Sequence, residues 1–173
     1  MDGNDLRTAS RRVVLCALLA SLMLVLQTAM APLPNIEPVS LLILVCARAF
    51  GRQVFWIVYT FVFLEGLVFG FHLWWITYLY IWALWALTVL LLARGKGQPV
   101  LVWAAASGAF GLSFGALDAL PYLAGGPWAA LSRWITGIPF DLIHCVGNFA
   151  LALALEEPLY QTLSQLRDGL GRK

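Results

Sequence analysis

Charge is what this chain has least of. Its 173 residues include 11 Lys and Arg and 9 Asp and Glu, 12% of the total, against 61% hydrophobic residues. With a mean hydropathy of +0.83, that balance excludes a water-soluble globular domain. Cysteine is also scarce: Cys16, Cys46 and Cys145 lie in apolar runs with no CxxC spacing, so neither a thiolate metal centre nor a disulfide framework has support, and they read as small hydrophobes. There is no Walker motif, so the chain is not expected to hydrolyse nucleotide itself, and no HExxH or GxSxG to support a metalloprotease or hydrolase. No metal site and no cofactor are expected. A basic stripe for nucleic acid is missing, as are internal repeats, low-complexity tracts and an appended soluble domain. Residues 1–173 therefore read as a single membrane domain.

What fills the chain is long apolar runs, each near the length a helix needs to cross a bilayer. The fold class expected is an all-α integral membrane protein, a six-transmembrane-helix bundle, with spans over 12–30, 37–50, 53–69, 74–93, 99–120 and 139–157. The "APLPN" turn closes the first span, because its prolines forbid helix continuation. The second is short and needs tilt or shielding by protein. Pro139 suits a first helical turn and so marks the start of the sixth span, with "PWAALSRWITG" before it as an amphipathic lead-in. The alternative is one long helix from Trp128, kinked at Pro139. Six spans with a cytoplasmic N-terminus put Arg7, Arg11, Arg12, Arg48, Arg52, Arg94, Lys96, Arg167, Arg172 and Lys173 inside and leave Arg133 outside. Both termini are then cytoplasmic, with residues 1–10 and 160–173 as tails. No small-residue cleavage site follows "MDGNDLRTASRR", so the first apolar helix is expected to stay in the mature protein.

An ionisable side chain inside a span costs on the order of 3 kcal/mol on insertion scales, so each one asks for a reason. In this orientation Glu37, Glu65, Asp118 and the helix-six set Asp141, His144 and Asn148 all fall in the outer half. The 141, 144 and 148 spacing puts that set on one helical face. Trp74, Trp75 and Tyr78 enter the fourth span from the same side, either as an interfacial aromatic belt or as rings available to a ligand, while Trp82 and Trp85, deeper in, read as packing. Asp141, His144 and Asn148 serve either a ligand or hydrogen bonds between helices. For Glu65 and Asp118 the available answers are His144, Arg133 or protonation. Gly108, Gly111 and Gly115 let helix five approach a neighbour closely, and Cys16 with Ala20 and Ala17 with Ser21 make small-xxx-small pairs on helix one.

The "LPNIEPVS" turn after helix one and "GIPFDLIHCVGNF" at helix six, within six spans in fewer than 180 residues, resemble the substrate-binding S components of energy-coupling factor (ECF) transporters. The two stretches are most similar to a group of S components without an assigned substrate, and the resemblance covers nearly the whole chain. It implies a non-catalytic subunit in the bacterial cytoplasmic membrane that captures a vitamin or related micronutrient under the loop after helix one. A transmembrane scaffold subunit and two cytoplasmic ATPase subunits are the implied partners, besides membrane lipids. The loop motif maps onto Asn35 and Glu37, and the helix-six motif onto Asp141, His144 and Asn148; Glu65, Trp75, Tyr78 and Asp118 complete the expected ligand-binding set. Family members dock on the scaffold through an Ala-xxx-Ala pattern on helix one. The nearest match here is Ala17 with Ser21, beside Ala20, and is a departure from that pattern. Carboxylates with many rings suit a flat ligand that carries positive charge or many N–H donors, such as thiamine-like, cobalamin-like or nucleobase-like compounds. Three other readings compete: a scaffold resembling the rod-shape membrane protein MreD, a small membrane enzyme using Asp141 and His144 as acid and base on a lipid headgroup, and a stand-alone secondary transporter.

Overall fold

The structure, a computed structural model, describes residues 3–33, 36–95 and 97–171. Among them the chain is helical, in the order α1 (Gly3–Met30), α2 (Val39–Phe50), α3 (Val54–Phe69), α4 (Leu73–Leu92), α5 (Val100–Asp118) and α6 (Pro127–Gly171), with single 3-10 segments at Gly51–Gln53 and Leu120–Gly125. Helices are the expected answer to this composition, since a segment in hydrocarbon must satisfy its own backbone N–H and C=O groups. Five helical segments among the described residues are long and apolar enough to cross a membrane: Ala9–Met30, Val39–Phe69, Leu73–Leu92, Val100–Gly125 and Pro127–Gly169. This is the architecture of a multi-pass membrane protein.

The six expected spans are not six independently sufficient segments. α2 has 12 residues, about 18 Å of helix, and falls short of a bilayer core alone; with α3 it forms one 31-residue apolar stretch. The stretch is nevertheless a hairpin. Gly51 at φ 59° breaks it, in a region that side chains disfavour, and Glu37 before α2 and Phe69 at the end of α3 line one cavity. α2 runs through the middle of the bundle, against α4 and α6, and ten of its twelve residues are buried. A helix shielded by protein in this way need not match the lipid.

The sixth helix corrects the expected bounds of 139–157, for it starts before Pro139 and continues through most of the residues read as a tail from 160. α6 runs 45 residues with Pro139 and Pro158 inside it, about 67 Å of helix and well over one bilayer. Its start is set instead by Pro127, preceded by Gly126 at φ 99°, a first-turn proline after a glycine break. The helix continues through Pro139 at the loss of one backbone hydrogen bond, and Arg133 ties residues 127–138 to Asp118 at the end of α5.

α5 and α6 form the tightest seam. A Cβ on Gly111 would lie 2.7 Å from the His144 carbonyl oxygen, one on Gly108 3.2 Å from that of Cys145, and one on Gly115 would overlap the Asp141 carboxylate. The glycine stripe is thus the floor on which the polar face of α6 rests. Near the other end of α6 a buried ion pair joins it to α2. Arg48 in the last turn of α2 meets Glu156, which is fully buried, and its guanidinium lies 3.8 Å from the Tyr160 ring centroid and 4.8 Å from that of Trp103. Arg167 adds a second tie by donating to the Ala49 carbonyl at 2.8 Å, one of the last carbonyls of α2 that lack a helical partner.

Two stability outcomes follow from these contacts. Gly111→Ala should destabilise the protein by roughly 1–3 kcal/mol through overpacking, whereas Gly137→Ala, with open space around it, should leave stability within about 0.5 kcal/mol. Glu156→Leu strands Arg48 and should cost about 3 kcal/mol or more, while the half-exposed Glu157 tolerates the same change. Melting temperatures of the purified variants in detergent measure both contrasts.

Candidate functional site

The face of α6 at 141, 144 and 148 turns inward onto α5, and all three side chains are buried. Asp141 Oδ1 accepts a hydrogen bond from the Gly115 N–H at 2.9 Å, and Asn148 Nδ2 donates to the Ser107 carbonyl at 3.4 Å. Those two bonds fix the ends of the face. Between them His144 makes an edge contact with Phe114, ring centroids 5.0 Å apart, and its Nε2 lies 3.6 Å from Glu37 Oε1. That separation is within ion-pair reach and beyond a hydrogen bond. Glu37 is half-buried and accepts from Ser40 Oγ at 3.3 Å.

Two cavities meet at this face. The first, about 320 Å3, lies under the segment that follows α1 and is lined by Gln27, Glu37, Tyr78, Trp82, Phe114 and His144, with α1 residues Thr28 and Met30 at its rim. The second, about 580 Å3, is lined by Trp74, Asp118, Arg133, Phe140 and Asp141. Tyr78 and Phe114 line both and form the wall between them. Asp118 in the second cavity is paired with Arg133, at 2.9 Å to Nε and 2.7 Å to Nη2, so the scarce cation on this end of the bundle is its partner.

The expected residues separate into those the structure brings together and those it does not. Glu37, Tyr78 and His144 share the first cavity; Asp118 and Asp141 face the second, with Tyr78 between. Trp75 lines neither: its indole N–H donates to the Val62 carbonyl at 2.8 Å and its ring meets Phe71, so it joins α4 to α3. Asn148 is spent on Ser107. Glu65 is buried in α3, within coulombic range of Glu37, but borders neither cavity. Asn35 lies outside the described residues. On α1, Ala17 and Ser21 are exposed but Ala20 is fully buried in the core, which removes it from any docking surface. Residues not anticipated are Gln27 and Phe114, and Trp82 lines the cavity although buried. Gln27 could have been noticed as the single amide in "MLVLQTAM", and Phe114 as the ring between two stripe glycines.

The electrostatics of the first cavity are incomplete within the protein. Among the described residues His144 Nε2 and Gln27 Oε1, which line it, are buried without a hydrogen-bond partner, as are Asp141 Oδ2 at the second cavity and Glu65 Oε1, which borders neither. A buried polar atom left so costs roughly 1–3 kcal/mol. A bound molecule that pairs His144 and Gln27 recovers that cost, and the surrounding rings offer it faces to stack on. An acid–base pair is less well placed, because Asp141 is held by Gly115 and opens to a different cavity from His144. Comparison with protein-family models, curated proteins and solved structures gives no match for this chain.

The Asp118–Arg133 pair is half-exposed on the arginine side, so Arg133→Gln should shift unfolding free energy by less than about 1 kcal/mol. Thermal unfolding of that variant beside Asp141→Ala, which loses a buried acceptor and should cost roughly 1–3 kcal/mol, separates the exposed pair from the seam.

Proposed function

We propose that this chain is the substrate-binding S component of an ECF-type ABC importer, capturing a vitamin or related micronutrient in the cavity beneath the segment after α1. The observation that carries the reading is that cavity: buried polar atoms of His144 and Gln27 without partners, the Glu37 carboxylate and the rings of Tyr78, Trp82 and Phe114 surround one space. In this reading the chain binds and releases its substrate; the chemistry of ATP hydrolysis belongs to two cytoplasmic ATPase subunits, joined through a transmembrane scaffold.

In this reading the bacterial cytoplasmic membrane holds six crossings, α2 and α3 counting as two because their hairpin returns the chain to the level of Glu37. The distribution of charge supports cytoplasmic termini: Arg12, Arg48, Arg52, Arg94 and Arg167 gather at one end, and Arg133 stands at the other. The cavity then opens to the outside. On α1 the exposed Ser21, one turn beyond Ala17, remains for the scaffold to dock on. A volume of about 320 Å3 lies at the small end of ligand sites. It favours a thiamine- or nucleobase-sized ring with a positive charge or N–H donors over a corrinoid.

The test is a thermal-shift panel of water-soluble vitamins and nucleobases on the purified protein. One compound should raise the melting temperature of the wild type, and Glu37→Ala and His144→Ala should abolish that shift while keeping the unliganded melting point near the wild type. Asp141→Ala is a poorer probe, because the same carboxylate holds the α5–α6 seam. No shift with any compound would move weight to the scaffold reading.

A further inference from the structure

A second pair of cavities lies at the arginine-rich end, away from the site above. A small one, about 120 Å3, sits between residues 12–19 of α1, the α2–α3 turn and the tail of α6; Arg12, Gln53 and Arg167 form its polar mouth, over Leu15, Leu19 and Ile57. It adjoins a groove of about 460 Å3 along α1 and α3, bordered by Val13, Ala17, Trp56 and Thr60, and the two share Arg12, Cys16 and Gln53. Val13 is 69% and Trp56 74% exposed, so in a bilayer the groove faces the acyl chains.

The chemistry of the mouth is that of an anion site. Among the side chains described, those from Ala9 onward, no carboxylate pairs with Arg12. Arg167 uses Nε on Asp168 and Nη1 on the Ala49 carbonyl, which leaves three of its five N–H donors free. Asp168 is a countercharge, but it is more than half exposed and well solvated. Guanidinium groups are suited to phosphate oxygens. A polar mouth that opens into an apolar, lipid-facing groove has the two-part shape of a phospholipid: phosphate at one end and chain at the other.

We propose that an anionic phospholipid binds here, its phosphate between Arg12 and Arg167 and one acyl chain along the groove beside Trp56 and Thr60. The occupant is a lipid and not a soluble anion, because the phosphate site is continuous with the groove. It is a lipid and not a partner helix, because the polar mouth is too small for a chain segment and carries two arginines. Such a molecule would staple α1, the α2–α3 turn and α6 together at the end of the bundle where the short α2 turns into α3.

The test is retention of phosphatidylglycerol by the purified protein through detergent washes, read by native mass spectrometry, together with the melting temperature. The wild type should keep phosphatidylglycerol and gain stability from it, and phosphatidylcholine should do neither. Arg12→Gln, a surface change, should weaken retention about fivefold, the weight of one juxtamembrane arginine; Arg94→Gln at the same end should not. Thr60→Trp should fill the groove and reduce retention while both arginines stay. Equal retention of the two lipids, an equal loss in Arg94→Gln, unchanged retention in Thr60→Trp, or the same stabilisation by soluble glycerol phosphate would each overturn the proposal.

Discussion

The close approach of α5 and α6 is the constraint on which the rest of the bundle depends. Three glycines at 108, 111 and 115 remove the side chains that would hold the helices apart, and the backbone of α6 at His144 and Cys145 fills the space. In a membrane there is little hydrophobic gain in bringing helices together, so such contact rests on packing and on hydrogen bonds. Here it supplies both, since the same approach lets Asp141 reach the Gly115 N–H and Asn148 reach the Ser107 carbonyl. With both ends of the polar face anchored, His144 is left to face the cavity.

The opposite half of the molecule solves a different problem. α2 is too short to span alone and almost wholly buried, so its charged end must be satisfied by protein. Glu156 answers Arg48, two rings cover the guanidinium, and Arg167 takes an open carbonyl. These contacts make the long C-terminal half of α6 part of the core and not a tail. The bundle is therefore divided along its length: an end where Arg48 and Glu156 pair inside the core, and an end where polar atoms surround the His144 and Asp141 cavities.

Much of the fold was legible because hydrocarbon permits few answers. Long apolar runs separated by proline and glycine located α1 to α5, and the glycine stripe announced a close helix contact, though not that α6 was the neighbour. The start of α6 is not at Pro139, the strongest local signal, because a proline is tolerated inside a membrane helix and the break that does start it, Gly126 before Pro127, is the quieter mark in the sequence. Ala20 was misjudged for a related reason. A helix that is apolar all round carries no mark of which face meets protein and which meets lipid. Arg133 was one of three answers open for Asp118, and the fold selects it by placing the two side by side. The pairing of Arg48 with Glu156 was not legible, because nothing local relates two residues so far apart in the chain. For the site, the spacing of 141, 144 and 148 identified the face but not the division of labour on it: two residues hold the seam and one meets the cavity.

The account turns on whether the cavity beneath the segment after α1 holds a small molecule. The most direct measurement is to purify the protein gently from cells grown in rich medium, denature it, and identify released compounds by mass spectrometry. The account predicts a single vitamin- or nucleobase-sized compound, cationic or rich in N–H donors, at close to one per chain, and absent from a His144→Ala preparation. A wild-type preparation that releases no such compound, or one that His144→Ala releases equally, would contradict it.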